Sequence, residues 1–131
     1  MSCVKQRIGQ SFFRRALLAS YRSTCCITGV NIPSLLRASH IKPWVASNDI
    51  NEKTNPQNGI LLNALHDVAF DKGLITITKD YKVIVSSRFS LGGIWSEDFF
   101  TKFNGLEIHK PSKFLPPKEF IEYHNDVIFM R

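Results

Sequence analysis

The chain has 131 residues, with 17 basic and 11 acidic side chains that give a net charge of +6 and a pI near 9.4. Apolar residues make up 44% and charged residues 21%. These values are typical of a globular protein and exclude wholesale disorder, and the length predicts one domain over residues 1–131. The longest apolar runs, such as Ala16–Ala19, are far too short to span a bilayer. The excess of positive charge favours a polyanionic partner.

The cysteines and the N-terminus indicate the compartment. Three cysteines, two of them adjacent as Cys25-Cys26, give no disulfide framework and no Cys-x-x-Cys pair. This pattern predicts a reducing compartment, no disulfide-linked partner and no four-cysteine zinc knuckle. Cys25 and Cys26 are expected to be buried small apolar side chains. The first residues, Met1–Lys5, lack the apolar core of a signal peptide, so we expect a cytoplasmic protein.

The first half of the chain predicts one helix, one strand and a long loop. Apolar side chains share a broad face over 6–21, which predicts a helix. A turn-rich stretch then leads into a short strand over 34–41, and Pro43 ends strand pairing. Residues 45–57 are polar and rich in asparagine, and they are expected to form a surface loop.

The middle of the chain predicts a strand, a helix and a hairpin. A second strand covers 60–62, and Asn63 is a suitable N-cap for a helix over about 64–72, which Gly73 ends. The alternating segments 74–78 and 82–86 predict a β-hairpin. The last third of the chain is expected to form a short helix over 95–103, a short strand over 107–109 and a last helix from Pro117 to about Phe129. The predicted fold class is α+β.

Three phrases between residues 38 and 73 carry side chains suited to hydrolytic chemistry. They are Ala38-Ser39-His40-Ile41-Lys42-Pro43-Trp44, Asn58-Gly59-Ile60-Leu61-Leu62 and Leu65-His66-Asp67-Val68-Ala69-Phe70-Asp71-Lys72-Gly73. A neutral imidazole at a strand end, such as His40, can accept a proton from water near pH 7. The amide of Asn58 both donates and accepts hydrogen bonds, although an Asn-Gly pair is also a common turn.

These phrases, in this order, resemble the HNH endonuclease family and most of all its restriction-endonuclease-like branch. The likeness runs from about Arg7 to Phe129 and is most specific over 38–75. It implies a ββα-metal core over about 34–73, with an N-terminal helix, a following β-hairpin and a C-terminal helix. It also implies a metal-dependent DNA endonuclease that hydrolyses phosphodiester bonds. In that reading His40 is the general base, Asn58 orients it, and one divalent metal stabilises the leaving group.

The resemblance places Asp67, nine residues after Asn58, at the metal-ligand position. Ser39 stands where many members have an acidic or histidine ligand directly before the catalytic histidine, so His66 is a further candidate ligand. Asp71 lies four residues after Asp67 on the same helical face and is either a second ligand or a polar cap at the helix end. A carboxylate ligand favours Mg²⁺. A mixed imidazole and carboxylate set also suits Mn²⁺, Ni²⁺ or Zn²⁺.

Five basic side chains are candidates for contacts with DNA phosphates, with ordinary solvated surface as the alternative for each. They are Arg14, Arg15, Arg37, Lys42 and Lys72. Two other functions stay open. A DNA-binding module without catalysis is favoured by Ser39 and by a departure from the family pattern, in which the last histidine falls about nine residues after the asparagine, where this chain has Asp67 and places His66 one residue earlier. A nuclease effector domain that acts with a separate recognition subunit is favoured by the short chain. One ββα site cuts one strand, so double-strand cleavage would require a homodimer.

Overall fold

The computed structural model of the chain describes residues 3–43, 46–47 and 50–131. Trp44 of the first phrase lies outside these ranges, as do Val45, Asn48 and Asp49 of the predicted loop. Among the helices in the described ranges, none combines the length and the apolar character that a bilayer crossing requires.

The first element is helix α1, Cys3–Ser20, which confirms the predicted N-terminal helix. Its buried apolar side chains Phe13 and Leu17 lie four residues apart, and Tyr21 just after the helix continues this spacing, because helical positions four apart share one face. The helix ends where Arg22 and the following Ser23 take positive φ angles of 54° and 50°.

A strand pair and a helix form the ββα unit that the sequence predicts. Strands β1 (Leu36–His40) and β2 (Gly59–Asn63) are antiparallel, with Leu36 opposite Asn63 and His40 opposite Gly59. Helix α3 (Ala64–Asp71) follows β2 directly. The side chain of Asn63 caps α3 by accepting a hydrogen bond from the backbone N–H of His66 at 3.1 Å. Both faces of β2 are covered, since all five of its residues are buried.

The prediction of a loop over 45–57 is wrong in part, because one short helix lies within this stretch and a 3₁₀ turn overlaps its end. Helix α2 spans Ile50–Thr54, and a single 3₁₀ turn spans Pro56–Asn58. Asn55 starts this turn by accepting a hydrogen bond from the N–H of Gln57 at 2.9 Å. The polar composition indicated a loop, but packing against α1 stabilises α2 as a helix.

The predicted hairpin is confirmed as strands β3 (Ile75–Ile77) and β4 (Val83–Val85), with Ile75 opposite Val85. Helix α4 (Ile94–Phe99) and a 3₁₀ turn (Thr101–Phe103) replace the single helix expected over 95–103. The short strand expected over 107–109 is reduced to one β-bridge, between Lys82 and Glu107.

The last helix begins as predicted and changes pitch within the chain's final turns. Helix α5 covers Lys118–Tyr123, and a π-helical turn covers His124–Ile128. His124 is fully buried there and its ring stacks on Phe70 at 3.8 Å. Its Nε2 lies 2.8 Å from the carbonyl oxygen of Phe70, and its Nδ1 lies 2.7 Å from the hydroxyl of Thr76. His124 thereby joins the end of α3 to β3, which is a structural role.

The environment of His124 predicts a pH-dependent stability. Burial lowers its pKa from 6.5 to about 4, against smaller raising effects of the Phe70 carbonyl and the Asp71 charge. A lowered pKa in the folded state means that the stabilisation is complete above pH 6.5 and is lost as pH falls toward 4. The shift corresponds to on the order of 3 kcal/mol. We expect His124→Gln to lose less free energy of unfolding than the wild type between pH 7.5 and 4.5, as measured by urea denaturation. An equal loss in both proteins would contradict this.

Candidate functional site

A cavity of about 290 Å³ lies between the end of β1 and one face of α3. Ser39 and His40 line it from the strand, and Asp67, Asp71 and Lys72 line it from the helix and its C-cap. Strand and helix meet there because α3 packs directly on β1. The fold therefore brings together an imidazole, two carboxylates, a hydroxyl and an ammonium group, drawn from two of the three phrases.

Contacts at Nε2 and on a ring face hold His40. Its Nε2 lies 2.6 Å from the carbonyl oxygen of Lys53 in α2, and its ring stacks on Phe13 of α1 at 4.1 Å with 9° between the planes. A carbonyl can only accept, so Nε2 carries the proton and donates it. In a neutral imidazole Nδ1 is then the proton-accepting nitrogen.

Burial sets the charge state of His40. It lowers the pKa of the imidazole below 6.5, while the Lys53 carbonyl and the charge of Asp67 act in the opposite, raising direction. The lowered pKa leaves the ring neutral at pH 7. A neutral imidazole with a defined tautomer has the form that a general base requires.

Asn58 is fully buried, and its side chain joins two segments that follow His40 in the chain. Its Oδ1 accepts from the N–H of Lys42 at 2.8 Å, and its Nδ2 donates to the carbonyl oxygens of Lys42 at 3.1 Å and Glu52 at 3.2 Å. Lys42 follows the end of β1, and Glu52 precedes the residue whose carbonyl contacts His40. The amide therefore links the strand that carries the imidazole to the helix that contacts it.

Ser39 contacts the carboxylate that was predicted to hold metal. Its hydroxyl donates to Oδ1 of Asp67 at 2.5 Å, and the serine itself is 4% exposed. Asp67 and Asp71 then present carboxylates to the same cavity. Within the part of the chain that the structure describes, no cluster of three or more His, Cys, Asp or Glu side chains is placed to hold a metal ion. Two carboxylates suit Mg²⁺, which keeps several waters and binds through one or two carboxylates together with substrate phosphates.

His66 faces away from this cavity, so the geometry does not support it as a metal ligand. It lines a separate, larger and mostly apolar groove of about 420 Å³. Its Nδ1 lies within 3.2 Å of the Asn63 amide, and its Nε2 lies 2.7 Å from the carbonyl oxygen of Phe99. Consecutive helical residues such as His66 and Asp67 point to different sides of a helix. Here Asp67 lies on the side of α3 that lines the cavity.

Two of the five basic candidates have partners in other elements of the fold. The guanidinium of Arg14 donates to the carbonyl oxygens of Leu36 at 2.8 Å and Pro33 at 3.1 Å. The ammonium of Lys42 pairs with Glu52 at 3.0 Å. These contacts stabilise the positions of β1 and α2. Because both side chains already have partners within the fold, the geometry does not support phosphate binding by Arg14 or Lys42.

The other three candidates, Arg15, Arg37 and Lys72, are exposed. Arg15 donates to the carbonyl oxygen of Ser11, one turn earlier in α1, at 3.3 Å. Of the three, Lys72 lines the cavity.

The contacts of His40 with the Lys53 carbonyl and with the Phe13 ring could not be predicted from the sequence. A backbone carbonyl leaves no signal in a sequence. Phe13 reads only as a core residue of α1, because its spacing from Leu17 shows which face of the helix is apolar and not what that face contacts.

Comparisons with known proteins agree with this fold. Residues 25–78, which contain β1, β2 and α3, match the family described as HNH endonuclease. A solved structure named "Modification dependent TagI restriction endonuclease" has a similar fold, with a TM-score of 0.61 and 16% sequence identity over 84% of this chain. The chain spans 35% of the length of that protein. A search of curated proteins gave no match. Residues 25–78 therefore carry the ββα fold of the HNH endonuclease family, as the three phrases predict.

Proposed function

We propose that this protein is a metal-dependent DNA endonuclease, related to restriction or defence, that hydrolyses phosphodiester bonds in the cavity between β1 and α3. The observation that carries the proposal is the placement of His40, with its Nε2 donating to Lys53, in one cavity with Asp67 and Asp71. The match of this segment to the HNH endonuclease family supports the reaction class.

In this proposal His40 takes a proton from water through Nδ1 as the water attacks phosphorus. Positive charge then develops on the ring, and the Lys53 carbonyl stabilises it through the bond to Nε2. The Asn58 amide keeps α2, and with it this carbonyl, at the end of β1. The lowered pKa of His40 keeps the base neutral before each turnover.

Asp67 and Asp71 would hold the divalent cation, and Ser39 orients Asp67 through its hydrogen bond. When bound, such a cation supplies a Lewis acid that stabilises negative charge on the leaving oxygen. Mg²⁺ is the ion we favour for these carboxylates, and Mn²⁺, Ni²⁺ and Zn²⁺ are the alternatives to test.

The DNA contact is proposed for three exposed basic residues, one of which lines the cavity. Lys72 lines the cavity, and Arg37 lies exposed on β1, three residues before His40. Arg15 is exposed on α1. Together with the net charge of +6, these side chains suit contacts that position a phosphate backbone without reading its sequence. The cytoplasmic location stays a prediction of the sequence.

A supercoiled-plasmid cleavage assay tests the proposal. The purified chain is incubated with EDTA or with Mg²⁺, Mn²⁺, Ni²⁺ or Zn²⁺, and DNA retention is followed by gel shift. We expect cutting that requires a metal, with a nicked product from one copy or a linear product from a homodimer. Retention of DNA without cleavage in the presence of each of these metals would contradict the proposal that the chain is a nuclease. It would favour either a binding module or an effector domain that needs a recognition subunit.

The role of Asp67 gives a separate prediction. Asp67→Asn keeps the shape of the side chain but removes its charge, so the concentration of Mg²⁺ needed for half-maximal cleavage should rise by more than about tenfold. Ser39→Ala removes the hydroxyl that orients Asp67. We expect the Mg²⁺ concentration for half-maximal cleavage to rise roughly tenfold, the lower end of the range for residues that hydrogen-bond to a metal ligand. The matched control is Asp80→Asn, on the exposed turn before β4. An unchanged Mg²⁺ dependence in Asp67→Asn would remove this residue from the ligand set.

A further inference from the structure

The N-terminal helix lies outside the segment that matches the family, yet it contacts the proposed base. Phe13 of α1 is 3% exposed, and its ring lies parallel to the His40 ring at a centroid distance of 4.1 Å. A flat buried ring against one face of an imidazole opposes rotation of the imidazole about its Cβ–Cγ bond. Phe13 therefore restrains the plane of His40.

The space for Phe13 depends on Gly59, which is the residue opposite His40 in the β1–β2 register. A Cβ on Gly59 would lie 2.5 Å from Cζ of Phe13 and 2.7 Å from Cδ1 of Leu17. The φ angle of Gly59 is −151°, an extended conformation that any residue adopts. What this position requires is therefore room for the ring of Phe13.

Gly9 extends the same helical face by one turn, because it lies four residues before Phe13. A Cβ on Gly9 would lie 2.5 Å from the Cγ2 methyl of Thr54 in α2. Thr54 directly follows Lys53, whose carbonyl accepts the hydrogen bond from His40. The glycine therefore permits the close approach of α1 and α2 that brings this carbonyl to the imidazole.

We propose that α1 positions the base, with Phe13 fixing the ring plane of His40 and Gly9 fixing the distance of the Lys53 carbonyl. Both are positioning residues, since neither contacts the reacting atoms. The proposal rests on the proposed nuclease function for its effect on rate, but its geometric part does not. The Nε2–carbonyl distance is 2.6 Å, so a displacement of about 1 Å would end the hydrogen bond.

The first test removes and restores the approach of α1 to α2. Gly9→Ala should lower plasmid cleavage on the order of tenfold to a hundredfold, the range for a displacement of about 1 Å. Thr54→Ser deletes the methyl group that the new Cβ would meet, and adding it to Gly9→Ala should restore cleavage. Thr54→Ser alone should cleave as the wild type does. Alanine favours a helix over glycine, so a loss of activity would not reflect a weaker helix. Wild-type cleavage by Gly9→Ala, or a loss that Thr54→Ser does not reverse, would overturn the role of Gly9.

The second test reads the imidazole itself and does not depend on cleavage. The ¹⁵N chemical shifts of His40 at pH 7.5 report which ring nitrogen carries the proton. We expect one Nε2–H tautomer in the wild type and a mixture in Phe13→Leu, which keeps an apolar side chain but loses the flat ring. The control is Phe89→Leu, which removes a ring from another stacked pair, with Phe100 at 4.2 Å, and should leave His40 unchanged. A single unchanged tautomer in Phe13→Leu would overturn the role of Phe13. Failure of the nuclease function alone would leave this tautomer result intact.

Discussion

Replacing His40 by alanine is expected to lower the single-turnover rate of plasmid cleavage by about 10²- to 10⁴-fold, the range for loss of a general base. The imidazole is the group whose tautomer is set by the Lys53 carbonyl and whose pKa is lowered by burial. Asp67, Asp71 and Lys72 line the cavity independently of it. We therefore expect metal dependence and DNA retention to persist in the variant.

The matched control for this variant is His109→Ala. His109 is exposed, and its hydrogen bond to the carbonyl oxygen of Cys26 uses the backbone N–H, which the substitution preserves. Cleavage by His109→Ala should equal that of the wild type. If His40→Ala cuts within a factor of about two of the wild type, a far smaller change than loss of a base produces, His40 is not the base.

The largest expected effect on stability comes from Gly73→Ala. Gly73 ends α3 with a φ of +76°, where a side chain is strained, and a Cβ there would overlap the carbonyl oxygen of Ile128. Its own carbonyl accepts from the N–H of Met130 at 2.8 Å. Backbone strain and overpacking together predict a loss of about 2–5 kcal/mol in the free energy of unfolding, measured by urea denaturation.

Gly29→Ala separates the two causes of that loss. Gly29 has a φ of +81°, and a Cβ there would meet no atom within 4 Å in the part of the chain that the structure describes. Its substitution should cost only the backbone strain, on the order of 1–2 kcal/mol. If Gly73→Ala is no less stable than Gly29→Ala, the packing of the C-terminal segment on Gly73 does not contribute as the structure implies.

The parts of the fold that were predicted correctly have local causes. Asn63 caps α3 and Gly73 ends it, because a short polar side chain and a residue without Cβ serve those positions wherever they occur. The four-residue separation of Phe13 and Leu17 likewise places one face of α1 in the core. Such signals depend on neighbours in sequence, so the order strand, strand, helix could be predicted from the residues alone.

The parts that were predicted wrongly depend on contacts between distant segments. Helix α2 was read as loop because its polar composition does not show the packing against α1. Arg14 and Lys42 were candidates for contacts with DNA phosphates, and the sequence does not show that the fold gives them partners of their own, the Leu36 carbonyl and Glu52.

Some features of the candidate site could likewise be predicted from the sequence, and others depend on contacts between distant segments. The resemblance of the phrases to the HNH endonuclease family implied that His40 and Asp67 lie near each other in a ββα unit. The side of α3 on which His66 lies could not be settled from spacing, since a shift of one residue turns a helical side chain by about 100°. The hydrogen bond from Ser39 to Asp67 is also a tertiary result, formed across the β1–α3 contact.

The most direct test of the account is the pH dependence of plasmid cleavage at saturating metal, compared between the wild type and His40→Ala. Burial lowers the pKa of His40 from 6.5. The wild-type rate should therefore be constant near neutral pH and fall about tenfold per pH unit below a midpoint under 6.5, as the base becomes protonated. The residual rate of His40→Ala should lack this fall. Absence of cleavage at every pH, or the same fall in both proteins, would contradict the assignment of His40 as the base of a metal-dependent nuclease.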